Sequence, residues 1–178
     1  MDGMGMNALR ILMALALPLS LLACQAREPN KHAMQTPPPE PTGPVVKTDA
    51  EWKQQLSSEQ YRILRHAGTE AAHGAAYEEF KKQGQGTYHC AACGALLFSS
   101  EQKFDSGCGW PSFYDPAKAQ NVKLSTDYSM GTQRTEVTCA ICGGHLGHRF
   151  DGEGFNTPTD QRYCINGGAL TFVPAPKP

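Results

Sequence analysis

The residues most able to do chemistry in this chain are its seven cysteines, and their spacing sorts them. Cys90 and Cys93 form one Cys-x-x-Cys in "CAACG", and Cys139 and Cys142 form another in "CAICGG". Within such a pair both sulfurs can reach one ion, and Gly94 or Gly143 permits the tight turn that aims backbone amides at sulfur. Four soft thiolates suit one tetrahedral zinc ion per chain. With 45 residues between the pairs, the site is expected to join two distant knuckles of the fold as a clasp. An iron–sulfur cluster fits less well, because the spacing is not that of a ferredoxin. Disulfides are the other alternative in an oxidising compartment. A closed four-cysteine site leaves no open position for substrate, so reaction chemistry is expected elsewhere.

Cys24, Cys108 and Cys164 remain. Cys108 sits in "DSGCGWPSF", between glycines, with Trp110 held before Pro111. Cys164 sits in "QRYCIN" without a local partner. Between the two, "GGHLGHRF" puts His145 and His148 directly after the second knuckle. A thiolate is a nucleophile and histidine moves protons, so the set is a candidate thiol active site. Taken singly, each residue reads more readily as packing: a buried inert thiol, a hydrogen-bonded histidine, a core tryptophan. The combination is what points to chemistry.

Elements must hold these residues in place. "TDAEW" and "SSEQYRILRHAG" carry helix starts, a capping box at Thr48 and a second at Ser57 or Ser58, with a stop at Gly68. Two short helices are expected, the second with Tyr61, Leu64 and Arg65 on one face and Ile63 one step round. After Gly86 the chain breaks into "GTYHC", "ALLF", "NVKLSTD", "RTEVTC", "RYCI" and "ALTFV", strand-length runs separated by turn residues. The fold class is therefore mainly β: two antiparallel sheets, a small barrel or sandwich, with short N-terminal helices and the four-cysteine zinc clasp.

The front of the chain reads differently. Arg10 precedes an apolar run of 13 residues, Ile11 to Ala23, the length of a signal-peptide core and too short for a membrane span of roughly 20 residues. "LLACQ" then resembles a bacterial lipoprotein signal with Cys24 as the lipidated residue, an ordinary cleaved signal being the alternative. Residues 1–23 are read as signal peptide, 24–47 as a flexible proline-rich tether, and 48–178 as the folded domain. The protein is expected to be exported and to face the periplasm from a membrane, the outer membrane in a Gram-negative cell because Gln25 is not a retention-type aspartate. A net charge of −1 without basic runs excludes nucleic acid as an expected partner.

From about Ala50 to Phe172 the chain resembles a methionine-R-sulfoxide reductase of the B type. "CAACG", "KFDSGCGWPSF", "RTEV", "CAICGGHLGHRF" and "RYCIN", in this order, carry the resemblance. It implies a repair enzyme for oxidative stress in which the Cys164 thiolate attacks the sulfoxide sulfur and is left as a sulfenic acid. His145 and His148 would orient water or protonate the departing oxygen. Trp110 and Phe150 would cage the substrate methyl group. Arg162 would favour the thiolate, Asn166 would complete the hydrogen-bond network, and Asp151 would support the histidines.

Cys108 is then the thiol left to resolve the sulfenic acid as a disulfide, opened in turn by a thioredoxin-like reductant; the alternative is a packed structural thiol. Arg149, the shifted Asp151, and Gly167 and Gly168 after Asn166 depart from the family pattern. The implied partners are oxidised proteins, the reductant and, through its lipid, a membrane, with the enzyme acting as a monomer. Two other readings are a zinc-stabilised binding module without turnover and a general thiol–disulfide exchanger.

Overall fold

The structure, a computed structural model, describes residues 39–176. Three short helices precede the sheets: α1 (Asp49–Gln55), α2 (Ser58–His66) and α3 (Ala75–Lys82). Both expected capping boxes are formed, Thr48 with Glu51 and Ser57 with Gln60, which satisfies amides that the first turn would otherwise leave bare. Ile63 and Leu64 face the core from α2, while Tyr61 and Arg65 lie half-buried at its margin. The sequence offered no sign of α3: its N-cap is Gly74, which has no side chain to accept a bond. Burial of Tyr77 and Phe80 holds it instead.

Strands β1 (Gly86–Cys90), β2 (Leu96–Ser99), β3 (Ser112–Phe113), β4 (Val122–Asp127), β5 (Arg134–Cys139), β6 (His145–Asp151), β7 (Gln161–Ile165) and β8 (Leu170–Pro174) follow. They form a three-stranded sheet ordered β2-β1-β8 and a five-stranded sheet ordered β3-β7-β6-β5-β4. All pairings are antiparallel. The two-sheet expectation holds, with two strands added. β3 is only two residues long, and the histidines of β6 mask its strand pattern.

The sheets meet through aromatic rings. Phe98 of β2 stacks on Phe113 of β3 with centroids 4.4 Å apart, and Tyr88 of β1 meets the same ring at 5.0 Å. Each such side chain contributes about 1.5–3 kcal/mol on full burial. The sole methionine among the described residues, Met130, lies outside this core in the β4–β5 turn, 71% exposed.

One boundary needs correction. The tether was expected to run flexibly to Lys47, yet from Glu40 the chain is docked. The Glu40 carboxylate binds Lys118 Nζ at 2.8 Å and Asn121 Nδ2 at 3.1 Å, and the Val45 amide donates to the Ile141 carbonyl at 2.8 Å. No described helix is long and apolar enough to cross a membrane. The signal run, Cys24 and most of the tether lie outside the described residues.

Candidate active site

The two knuckles form where strands end. Cys90 closes β1, the Gly94 amide returns to its carbonyl at 2.8 Å, and Gly94 takes φ 78°, a left-handed conformation that favours glycine. Cys139 closes β5 in the same way, with Gly143 at φ 71°. Since β1 and β5 belong to different sheets, the cluster joins the two halves of the fold. The four sulfurs lie within 4.8 Å of one another, Cys90 to Cys142 at 3.7 Å and Cys93 to Cys139 at 3.6 Å, and all four are free thiols. A tetrahedral ion bonded at about 2.3 Å needs sulfurs about 3.8 Å apart, so the donor set fits zinc. Hydrogen bonds from Cys142, Cys90 and Cys93 pull the Cys139 thiol far down, while the bond to Cys139 pushes Cys90 and Cys93 up. Such a cluster could hold a metal ion, whose charge would let all four ionise together.

The other two described cysteines meet beside β7. Cys164 is the penultimate residue of β7, in register with Ser112 on β3 and His148 on β6. Gly147 on β6 makes this pairing possible: a Cβ there would lie 2.0 Å from the Cys164 carbonyl oxygen. Cys108 comes from a loop whose start is pinned by Asp105, which accepts from the Gly107 amide at 3.0 Å and from the Tyr77 hydroxyl at 3.1 Å. Gly107 and Gly109, at φ 69° and 89°, turn the thiol inward.

Cys108 Sγ then lies 3.8 Å from Cys164 Sγ. Ser106 Oγ donates to Cys108 Sγ at 2.9 Å, and Ser112 Oγ lies 3.5 Å away. The bond from Cys164, followed by those from the two serines, pulls the Cys108 thiol down to about 4 despite partial burial. The bond to Cys108 and burial push Cys164 up, against a smaller opposing pull from Arg162. Of the two thiols, Cys108 is therefore the one favoured as the anion.

Carboxylates that sequence reading missed hold the histidines. His145 Nδ1 meets Glu136 Oε1 at 2.7 Å, and its Nε2 is buried without a partner. Burial lowers the His145 pKa, partly offset by Glu136. His148 Nε2 meets Asp127 Oδ2 at 2.8 Å, an oxygen that also accepts from Arg134. The rings of the two histidines lie 5.5 Å apart. Asp151, expected to support them, instead pairs with Arg149 at 3.2 Å. Strand alternation explains the correction: Asp151 lies on the opposite face of β6 from His148, while Glu136 of β5 pairs opposite His148 and Asp127 of β4 pairs opposite Arg134. "RTEV" carried the signal: alternation puts Arg134 and Glu136 on one face of a strand.

Arg162 donates through Nε and Nη2 to the Glu153 carboxylate at 2.7 and 2.9 Å and lies 4.4 Å above the Phe150 ring. The Glu153 bond raises its pKa further, so it is a fixed cation. Asn166 donates to the Leu146 carbonyl at 2.9 Å and accepts from the Glu70 amide at 3.0 Å. Trp110 Nε1 donates to the Glu70 carbonyl at 3.1 Å. Of the residues singled out, Cys90, Cys93, Cys139 and Cys142 share the sulfur cluster, Cys108 meets Cys164, His148 lies opposite Cys164 across the strands, and Asp151 is turned to Arg149.

Comparison with known proteins gives matching findings. Residues 56–174 match the family model described as "SelR domain". The chain is 55% identical over 129 residues to "Peptide methionine sulfoxide reductase MsrB" of Leptospira interrogans, covering 72% of this chain and 95% of that protein. It is 54% identical over 129 residues to the protein of the same name from Thiobacillus denitrificans, covering 72% and 94%. "Peptide methionine sulfoxide reductase B7" of Arabidopsis thaliana is 48% identical over 134 residues, covering 75% and 90%.

Proposed function

The chain belongs to the SelR family of B-type peptide methionine sulfoxide reductases, and from that premise we infer that it reduces methionine-R-sulfoxide in oxidised proteins through Cys164. The observation that supports this route is the pair of thiols 3.8 Å apart, free of the metal cluster and beside two carboxylate-held histidines.

Cys164 must first lose its proton. His145 is kept neutral by burial and has a free Nε2, which suits it to accept that proton and pass it to the sulfoxide oxygen. Arg162 stabilises the new thiolate, with Glu153 fixing its orientation. The thiolate attacks the sulfoxide sulfur as its oxygen takes up the proton; the hydroxyl then passes to the Cys164 sulfur as the sulfur–sulfur bond breaks, which releases methionine and leaves Cys164 as a sulfenic acid. Trp110 and Phe150 would enclose the methyl group and select the epimer.

Cys108 then attacks Cys164 sulfur; water departs and a disulfide forms. Two electrons from a thioredoxin-type reductant restore both thiols. Zinc on Cys90, Cys93, Cys139 and Cys142 would lock the two knuckles together and supplies structure. The reading extends to an exported monomer, lipidated at Cys24 and held at the outer membrane, supported by the apolar run before "LLAC" and the proline-rich segment after it.

The test is purified protein with each sulfoxide epimer and dithiothreitol. Methionine is expected from the R epimer alone, and not from a Cys164→Ser protein.

A further inference from the structure

The connection between α2 and α3 contributes nothing to the chemistry above, yet it reaches both cysteine segments. Glu70 Oε1 accepts from the Gly167 amide at 2.6 Å and Oε2 from the Gly168 amide at 2.9 Å. The Glu70 amide donates to Asn166 Oδ1 at 3.0 Å, and its carbonyl accepts from Trp110 Nε1 at 3.1 Å. Three residues on, the His73 amide donates to the Gly109 carbonyl at 2.9 Å. One residue therefore holds the turn that begins two positions after Cys164 and also the ring two positions after Cys108.

The Gly167–Gly168 pair belongs to the same device. A Cβ at Gly167 would lie 2.7 Å from Ala76 Cβ and 3.1 Å from Glu70 Oε1, and one at Gly168 would lie 2.8 Å from Ile63 Cδ1. Without side chains the turn settles against α2 and α3 and presents two amides to one carboxylate. Amides donating to a charged acceptor make stronger bonds than neutral pairs, so removing the carboxylate should loosen the turn.

We propose that Glu70 is a positioning residue for the reaction: its carboxylate fixes the turn behind Cys164 while its peptide group sets the Trp110 indole, so the sulfur and the substrate cage share one support. The proposal rests on the roles given above to Cys164 and Trp110. Glu70 does not touch substrate; it acts through those two residues.

The experiment uses the full chain with zinc bound, as wild type, Glu70→Gln and Glu70→Ala. Glu70→Ala should raise KM for the R-sulfoxide on the order of tenfold, the scale of one lost charged hydrogen bond, with a smaller change in kcat. It should also blur the choice between epimers. Glu70→Gln keeps one acceptor oxygen and should fall between Glu70→Ala and wild type. Zinc content and thiol titration correct for misfolded protein.

Two readouts need no sulfoxide: acrylamide quenching of Trp110, since Trp52 is buried, and the rate of Cys108–Cys164 disulfide formation by peroxide. Stronger quenching and slower disulfide formation in both variants support the proposal, even if the wild type failed to reduce sulfoxide and the functional reading fell. Unchanged quenching, disulfide rate and epimer choice in the isosteric Glu70→Gln protein would overturn it.

Discussion

Cys108 and Cys164 hold their sulfurs 3.8 Å apart, and the bond between them pulls the Cys108 thiol down while it pushes the Cys164 thiol up. A disulfide needs about 2.05 Å, so the resting pair is close enough to react yet unbonded.

If Cys108 resolves the sulfenic acid, Cys108→Ser should form one equivalent of methionine per chain and then stop in the presence of thioredoxin. Mass spectrometry after one equivalent of sulfoxide should find a Cys108–Cys164 cross-link in wild type and a sulfenic acid on Cys164 in the variant. A free Cys108 thiol beside oxidised Cys164 in wild type would defeat the assignment.

The position of the shared proton is open to site-resolved alkylation. At mildly acid pH, far below the ordinary thiol value of about 8.5, iodoacetamide should label Cys108 ahead of Cys164. Replacing Cys108 with serine removes the neighbouring anion, so the Cys164 pKa should fall and its labelling at that pH should speed up. Earlier labelling of Cys164 in wild type would reverse the proton assignment.

His145 makes stability depend on pH. Its folded-state pKa is lowered by burial, so the unfolded chain, with an ordinary value of about 6.5, takes up the proton first. The neutral form's contribution is present above that value and is lost as pH falls below it, towards the lowered pKa. The melting temperature should therefore drop less steeply with acid in His145→Gln than in wild type; parallel curves would contradict the buried neutral ring.

Metal and turnover should separate cleanly. Cys93→Ser or Cys142→Ser should lose zinc and much of the fold, because structural zinc binding is worth about 10–16 kcal/mol in small domains, comparable to a whole domain's stability. Cys164→Ser should keep one zinc per chain and lose all turnover. Zinc is read by atomic absorption and stability by thermal melting.

For the chain's front end, labelled fatty acid supplied to bacterial cells should mark the protein, and Cys24→Ala should abolish the label. An unlabelled wild type would remove the anchor from the reading and leave the reaction untouched.

The chemistry was legible where it is local. Cys-x-x-Cys turns, their glycines and the order of the motifs lie in short stretches, and the strand runs of β1, β2, β4, β5, β7 and β8 show in their residue types. What escaped depends on pairing. Glu136 and Asp127 reach the histidines only through the β4-β5-β6 register. Asp151, beside Phe150 in sequence, is turned toward Arg149 instead. The one glycine and the two histidines of β6 hid a central strand, and Glu70 gives no sign in "GTEAA" that it will meet amides 97 and 98 residues later.

Met130 gives the fold a property apart from turnover. A protein that works where oxidants convert methionine to sulfoxide risks the same damage, and a sulfoxide in a packed interior is a polar group without a partner. Among the described residues the interior holds phenylalanine, tyrosine, leucine, isoleucine, valine, alanine, Trp52 and three of the cluster cysteines but no methionine, and the one methionine stands in solvent on a turn. Methionine oxidation at that exposed position would leave the packing untouched and stay within reach of another copy of the enzyme.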